Sequence, residues 1–252
     1  MVYGLWLSAD GMLAQQHRQD VLANNLANVD TPGFKPDRVA FAERLNESLL
    51  RAAPGASLTS LGQSTGGLFS QANYTDYAQG RVVESGNPLD LALLGDGFLK
   101  IQTADGAFFT RDGRLTTDVN GTLRHAASNG VVLGAQDQPL RIDVGSKEPL
   151  SIDRGGRLRQ GTNILGDIGV TDFEDRQELD KIGNNLLSAD RARPIAASGS
   201  FRQGYVEMSG VEPSAALVDM IAASRAYEMS ASLISMQNES LGRLVNDVGR
   251  LG

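Results

Sequence analysis

The C-terminal stretch carries a hydrophobic repeat that limits the possible folds more than any other feature of this sequence. Stepping alternately by three and four residues from Leu217 to Val248 gives eight apolar residues in ten positions. Because this spacing averages 3.5 residues, it holds one apolar seam towards a partner along a left-handed supercoil. The seam positions are Leu217, Met220, Ser224, Tyr227, Ala231, Ile234, Asn238, Leu241, Val245 and Val248. The pattern predicts a helix from Pro213 to Val248, with Pro213 in the first turn, where a missing N–H costs nothing.

Asn238 is a polar residue on this apolar seam. A polar seam residue reduces stability but often fixes the register or the number of partner helices. The sequence therefore predicts that Asn238 sets the register in an ordered assembly.

The N-terminal segment shows a weaker form of the same repeat. Its positions are Leu5, Ser8, Met12, Gln15, Gln19, Leu22, Leu26 and Val29, of which five are apolar. The helix is predicted to end near Asn28, because Pro32 and Gly33 follow it and form a turn. Two terminal helices with open apolar faces are expected to pack against each other or against neighbouring subunits. The alternative is a monomer whose terminal helices pack on its own body.

The middle of the chain is predicted to form an antiparallel meander. Short apolar runs are separated by the dipeptides Asp105-Gly106, Asp112-Gly113 and Asn120-Gly121, which favour two-residue hairpin turns with positive φ. The predicted strands are 99–103, 107–111, 115–117, 122–124, 131–133, 141–144 and 150–152. Residues 38–51 are predicted to add a short amphipathic helix through Phe41, Leu45, Leu49 and Leu50. Residues 52–67, rich in Gly, Ser, Thr and Ala, are interpreted as a mobile connection.

These patterns predict an α+β fold with three parts. Residues 1–35 and 213–252 form a helical, coiled-coil-like assembly region, residues 36–75 a flexible connection with a possible short helix, and residues 76–212 a central antiparallel β-rich domain.

The composition excludes several classes of function. A formal net charge of -7 without any basic run argues against a nucleic-acid partner, which requires clustered Lys and Arg. No apolar segment is long enough for membrane insertion, and the N-terminus has neither the charge nor the apolar core of a cleaved signal peptide. The chain has no cysteine, so disulfides and thiolate metal sites are excluded.

Nothing in the sequence nominates an active site. His17 and His125 lie far apart, in different predicted elements, whereas general acid–base catalysis requires mutual geometry. The aspartates of the Asp-Gly pairs do not have the spacing of a calcium loop, and hairpin turns account for them. We therefore expect no cofactor, no metal and no enzymatic activity.

Three stretches of the sequence together resemble the bacterial flagellar rod and hook proteins. The first, residues 23–35, contains Asn24, Asn25, Leu26, Asn28, Thr31, Pro32, Gly33 and Phe34. The second comprises residues 87–93, 95–98 and 109–113, and the third residues 203–209, 220–221 and 225–228. They follow the family's order along nearly the whole chain. One departure is Gly210, where the family usually has Asn, which affects the predicted start of the last helix.

The resemblance implies a structural subunit of the flagellar basal-body rod. Such subunits polymerise helically through paired terminal helices, which form the axial drive shaft and the wall of the export channel. The implied partners are other copies of the chain, neighbouring rod and hook proteins, the flagellar export apparatus and the surrounding ring proteins. The implied location is the rod that crosses the periplasm, reached by export without a cleaved signal peptide.

Within the family, the length and the presence of residues 38–67 favour the distal rod type over the proximal type or the larger hook subunit. Two other classes of protein stay open at the level of sequence. One is an enzyme or sugar-binding β domain with accessory helices, which would need a pocket with convergent polar groups. The other is a monomeric adaptor that binds the rod.

Overall fold

The computed structural model describes residues 2–44, 67–70, 73–146 and 148–249, and its fold is α+β as predicted. The described residues divide into two compact units. A helical unit comprises the described parts of 1–27, 37–74 and 212–252, and a β unit comprises 28–36 and 75–211. Residues 28–35, which the sequence assigned to the helical region, and Pro36, which it assigned to the connection, thus belong to the β unit.

Both terminal helices are confirmed. Helix α1 spans Val2–Ala27, and helix α2 spans Pro213–Gly249. The chain turns immediately after α1, where the Thr31 hydroxyl donates to Asn28 Oδ1 at 3.2 Å just before Pro32. The backbone N–H of Ala216 donates to Glu212 O at 2.9 Å and so begins α2. Of the described residues, none forms a helix long and apolar enough to cross a membrane.

The predicted short helix is wrong where the structure describes it. Strand β2 (Phe41–Arg44) pairs antiparallel with β3 (Gly67–Ser70), and β1 (Asp37–Arg38) precedes them. A short apolar pattern fits either period, and pairing with a distant strand decides between them. Leu45, Leu49 and Leu50 lie outside the described residues, as does the predicted mobile connection up to residue 66.

The β unit is built on a large antiparallel sheet. After β4 (Tyr74–Thr75), its strands are β5 (Val82–Glu84), β6 (Leu91–Leu94), β7 (Phe98–Thr103), β8 (Gly106–Thr110), β9 (Leu115–Thr117), β10 (Leu123–His125), β11 (Val131–Val132), β12 (Leu150–Ile152), β13 (Arg157–Gln160), β14 (Asn163–Asp167), β15 (Val170–Phe173), β16 (Asp180–Gly183), β17 (Leu186–Ser188), β18 (Pro194–Ala196), β19 (Ser200–Gln203) and β20 (Tyr205–Glu207). A 3-10 turn at Arg176–Glu178 precedes β16.

The large sheet runs in the order β16-β17-β8-β7-β11-β10-β9, with β15 pairing β7 and β18. Strands β12, β13 and β14 form a separate three-stranded sheet. Two further pairs, β6 with β19 and β5 with β20, bring the end of the β unit beside its beginning.

The predicted meander is partly wrong. Hairpins β7–β8, β9–β10, β10–β11 and β12–β13 are present, but β8 and β9 do not pair. The reason is that Asp112 turns inward and is fully buried, so Asp112-Gly113 is not a hairpin turn. The predicted strand 141–144 is also wrong, since only an isolated bridge joins Arg141 to Thr122.

The turn dipeptides differ in detail from the prediction. The β7–β8 turn is Ala104-Asp105, with Gly106 opening β8 at a φ of 141°. Asn184-Asn185 forms a two-residue turn between β16 and β17 that was not predicted from the sequence. Both of its φ angles are positive, at 50° and 58°. Positive φ at both central positions is what type I′ hairpins require.

The core of the β unit consists of two apolar clusters. The larger includes Leu91, Leu93, Leu99, Ile101 and Leu158. The smaller is aromatic, and its Phe109 and Phe173 rings meet edge to face with centroids 4.8 Å apart. These clusters hold the loops that carry the buried polar groups described below.

Candidate assembly site

Helices α1 and α2 pack antiparallel within the helical unit. Gln237 Nε2 lies 3.5 Å from Ser8 Oγ, and Arg18 Nη2 lies 3.6 Å from Asp219 Oδ1. A residue later in α1 therefore meets a residue earlier in α2. Small residues allow the close approach, because a Cβ placed on Gly4 would lie 3.3 Å from the Gln237 amide.

The face of α2 that lies towards α1 is related to the predicted seam but rotated from it. The more buried positions of α2 are Ala216, Met220, Ala223, Ser224, Ala226, Tyr227, Ser230, Ala231, Ile234, Gln237 and Leu241. They share Met220, Ser224, Tyr227, Ala231, Ile234 and Leu241 with the prediction. Leu217 is 48% exposed and Asn238 is also exposed, so within the single chain neither lies in this face. The side chains of Val245 and Val248 lie outside the description.

The opposite face of α2 carries a second apolar stripe, which we call the outer stripe. It consists of Val218, Ala222, Met229, Leu233 and Met236. The exposed fractions of Val218 and Met229 are 66% and 64%. At about 100° per residue, this stripe centres roughly 130° around the helix from the face that meets α1. Its residues recur about every 3.6 positions, so they keep to one side of the helix, as in an amphipathic helix that packs against another element.

The predicted positions on α1 are half-buried. Leu5, Met12, Leu22 and Leu26 all have intermediate exposure, whereas the buried apolar residues of α1 are Ala14 and Val21. The helix interface is also polar. Buried amide atoms of Gln15, Gln19 and Gln237 have no hydrogen-bond partner.

Residues of the N-terminal motif lie in both units. Asn24 is exposed, and Asn25 is buried in the helical unit, where its amide exchanges hydrogen bonds of 2.7 and 3.0 Å with the backbone of Asp37. The residues from Pro32 to Phe34 are buried in the β unit. Asn185 Nδ2 donates to Pro32 O at 2.7 Å.

A buried charge cluster of Lys35, Arg111 and Glu207 lies inside the β unit. Lys35 Nζ contacts Glu207 Oε1 at 2.5 Å and donates to Ala78 O at 2.8 Å. Arg111 Nη1 lies 3.5 Å from Glu207 Oε2, and its Nη2 donates to Gly95 O at 2.7 Å. All three side chains are at most 3% exposed.

Burial dominates the electrostatics of the cluster. It lowers the pKa of Lys35, and the neighbouring Glu207 carboxylate offsets this effect in part. The pKa of Arg111 is lowered by burial in the same way. Such a group of ions is costly to bury and is stable only when each charge keeps its partner.

The sequence did not predict this cluster. Its three members nevertheless come from the three stretches that resemble the family, one from each. Lys35 ends the first stretch, Arg111 lies in the second and Glu207 lies in the third. The available signal was that each is the only Lys, Arg or Glu of its segment, residues 23–35, 109–113 and 203–209 respectively. The cluster is therefore the place in the β unit where the three stretches meet.

A second buried polar group surrounds Asp112. Both carboxylate oxygens accept hydrogen bonds from Arg114, the shortest 2.7 Å, and His125 Nε2 lies 3.4 Å from Oδ2. Burial by itself raises the pKa of Asp112, but the interactions with His125 and Arg114 outweigh it, so the pKa is lowered from 3.8. His125 Nδ1 is within 2.7 Å of the Ser128 hydroxyl.

Asp112 makes the β unit sensitive to acid. Because its folded-state pKa is lowered, its contribution to stability is complete above pH 3.8 and is lost as the pH falls through the folded value. We expect the free energy of unfolding to decline below about pH 4. Asp112→Asn should lower stability at pH 7 and flatten this decline, measured by urea unfolding from pH 7 to pH 2. An equally steep decline in the variant would contradict this assignment.

The β unit also has an open surface groove of about 590 Å³, lined in part by Asp105, Asp180 and Asp190. Two of these carboxylates already have partners. Asp180 accepts two 2.8 Å hydrogen bonds from Arg191, and Asp190 accepts one from Ser188. Within the described ranges, no group of three or more His, Cys, Asp or Glu side chains could hold a metal ion.

Comparison with known proteins assigns the family. Residues 7–35 match the family described as flagella basal body rod protein, and residues 202–247 match the C-terminal family of flagellar basal body rod FlgEFG proteins. The chain is 32% identical to the flagellar basal-body rod protein FlgG of Bacillus subtilis, covering 98% of this chain and 99% of the relative. It is also 32% identical to FlgG of Borreliella burgdorferi, over 99% and 100%.

A third relative is the flagellar hook-basal body complex protein FlhO of Bacillus subtilis, 28% identical over the full length of both chains. The fold and these matches define a structural protein of the flagellar basal body and not an enzyme. The chain belongs to the bacterial flagellar basal-body rod family. Its full-length similarity to FlgG proteins supports the distal rod type.

Proposed function

We propose that this rod subunit polymerises helically through α1 and α2, and that the packed helices form the axial drive shaft and the wall of the export channel. The observation that supports this proposal is the outer stripe of α2. A helix that packs on one side and exposes a second apolar stripe of the same period can join two neighbours. A contact repeated head to tail produces an open helical polymer.

The polar character of the α1–α2 interface fits this role. Its unpaired glutamine amides and its small residues provide little stabilisation within one chain. The exposed apolar residue Leu13 of α1 adds to the surface that neighbouring helices cover in this arrangement. In this arrangement, the coiled-coil-like packing expected from the sequence is completed between subunits.

The proposed partners follow from membership of the family. Besides other copies of itself, the chain is proposed to contact neighbouring rod and hook proteins, the ring proteins around the rod and the flagellar export apparatus. We further propose that it reaches the rod without a cleaved signal peptide.

A charge on the outer stripe should block polymerisation. Met229 is 64% exposed, so Met229→Asp leaves the single chain intact but places a carboxylate in the proposed contact, where burial of an unpaired charge is strongly unfavourable. We expect the concentration needed for sedimentable polymer to rise at least tenfold, measured by analytical ultracentrifugation, with unchanged helix content by circular dichroism.

Ser235→Asp is the matched control, since Ser235 is exposed on α2 about 120° around the helix from the outer stripe. It should shift that concentration less than twofold. Equal sedimentation of the Met229→Asp variant and the parent chain would rule out the outer stripe as the contact.

A further inference from the structure

The α1–α2 interface does not specify its own register. Every seventh α2 residue that faces α1 is small or polar, namely Ala216, Ala223, Ser230 and Gln237. On α1, Gly4 and Gly11 are likewise seven residues apart. A slide of seven residues, about 10 Å along the helix, would therefore again place a small or polar residue of α2 opposite each of these glycines.

The polar contacts across this interface are weak. The Arg18–Asp219 pair is 3.6 Å long, with side chains 39% and 53% exposed, and exposed pairs contribute little. The contact between Gln237 and Ser8 is at the limit of a hydrogen bond, at 3.5 Å. The register must therefore be fixed outside the interface.

The chain segments next to both helices are tied together inside the β unit. Gly33 N donates to Glu207 O at 2.7 Å, and Gly210 N donates to Phe34 O at 3.0 Å. The buried Lys35–Glu207 pair joins the same two segments. Residues 28–36 follow directly on the end of α1, and residues 207–211 lead into α2, so these ties fix the separation of the two points at which the helices are attached.

A buried ion pair fixes the relative position of two segments more closely than an apolar contact does. Apolar side chains can slide past one another at little cost, whereas a buried Lys must meet its carboxylate or lose its partner. Lys181 adds a further tie, because its Nζ donates to Lys35 O at 2.6 Å and lies 4.9 Å from the centre of the Phe34 ring.

We propose that the buried Lys35–Glu207 pair, together with the two backbone hydrogen bonds around it, is a register clamp that sets the alignment of α1 on α2. The clamp acts within a single chain and holds whether or not the chain polymerises. Its failure and that of the proposed function are therefore distinguishable.

Disulfide trapping in the dilute full-length chain tests the clamp, since the chain has no cysteine of its own. Gly11→Cys with Ser230→Cys reports the observed register, because a Cβ on Gly11 would lie 3.9 Å from Ser230 Oγ. Gly11→Cys with Gln237→Cys reports a slide of one heptad. In the parent chain, the first pair should form its intrachain disulfide at least tenfold faster than the second.

The clamp is removed by the double variant Lys35→Met/Glu207→Gln, in which Gln keeps an acceptor for the Gly80 N–H that Glu207 binds at 2.8 Å. We expect the ratio of the two rates to fall at least threefold while the amides of β7 stay protected from hydrogen exchange. Lys181→Met, at an exposed side chain, should produce a smaller fall in the same direction.

The control is Asp118→Asn/Arg124→Met, which removes the 3.2 Å ion pair at the β9–β10 turn. It should lower stability without changing the ratio. An unchanged ratio in the Lys35→Met/Glu207→Gln variant with a folded β unit, or a parent chain with no preference between the cysteine pairs, would overturn the clamp. If the double variant unfolds the β unit, an unchanged ratio in Lys181→Met has the same consequence.

Discussion

Replacing Glu207 by Ala is expected to lower the free energy of unfolding of the β unit by about 3–5 kcal/mol. Glu207 is fully buried and is the carboxylate between Lys35 and Arg111. Its removal leaves two cations in the interior without a counter-charge, and it also removes the acceptor of the Gly80 N–H. Because burial already lowers the pKa of Lys35, the variant should regain part of its stability as Lys35 loses its proton at alkaline pH.

Urea unfolding of the full-length chain, followed by hydrogen exchange in the β unit, measures this loss. Asp180→Ala is the matched control, because it also removes a carboxylate from an Arg, but Asp180 and Arg191 are 56% and 64% exposed. An exposed pair contributes about 0–1 kcal/mol. If the two substitutions lower the free energy of unfolding by the same amount, the buried cluster does not stabilise the β unit more than an exposed ion pair does.

The sequence predicted those features that depend on neighbouring residues. The bounds of α1 and α2 follow from a repeat within each segment and from Pro32 and Pro213 beside them. The face of α2 that meets α1 was predicted only in part. Ser230 and Gln237 turn inward because they lie against Gly11 and Gly4 of α1, more than 200 positions away, and no pattern within α2 contains that information.

The charge cluster could not be predicted from the sequence for the same reason, because its residues are far apart along the chain. Lys35 and Glu207 are 172 residues apart, and a lone Lys or Glu in a sequence normally indicates a solvated surface. Resemblance to the family placed three short motifs in order, but it did not indicate that they meet. Likewise, Asp112 was interpreted as a turn residue, because Asp-Gly is common in hairpins, whereas Arg114 and His125 hold it in the interior.

The second large effect is expected from Gly33→Ala, which should cost the β unit about 3 kcal/mol or more. Gly33 has a φ of 72°, a conformation that disfavours any residue with a Cβ. A Cβ at this position would also lie 2.4 Å from Asp112 N and 2.6 Å from the carbonyl carbon of Arg111. Both are backbone atoms held by a packed core, so they cannot move aside as a flexible side chain would.

Gly86→Ala separates these two contributions. Gly86 has nearly the same φ, 75°, but a Cβ there would meet nothing within 4 Å. Its substitution should therefore cost only the conformational part, about 1–2 kcal/mol. The excess at Gly33, measured by urea unfolding of both variants, is the cost of pushing the segment 28–36 away from Asp112. That displacement would also lengthen the Gly33 N–H bond to Glu207 O, so Gly33→Ala should loosen the register clamp as well. Equal losses in the two variants would show that the segment can move at little cost, and that this close approach does not hold it in place.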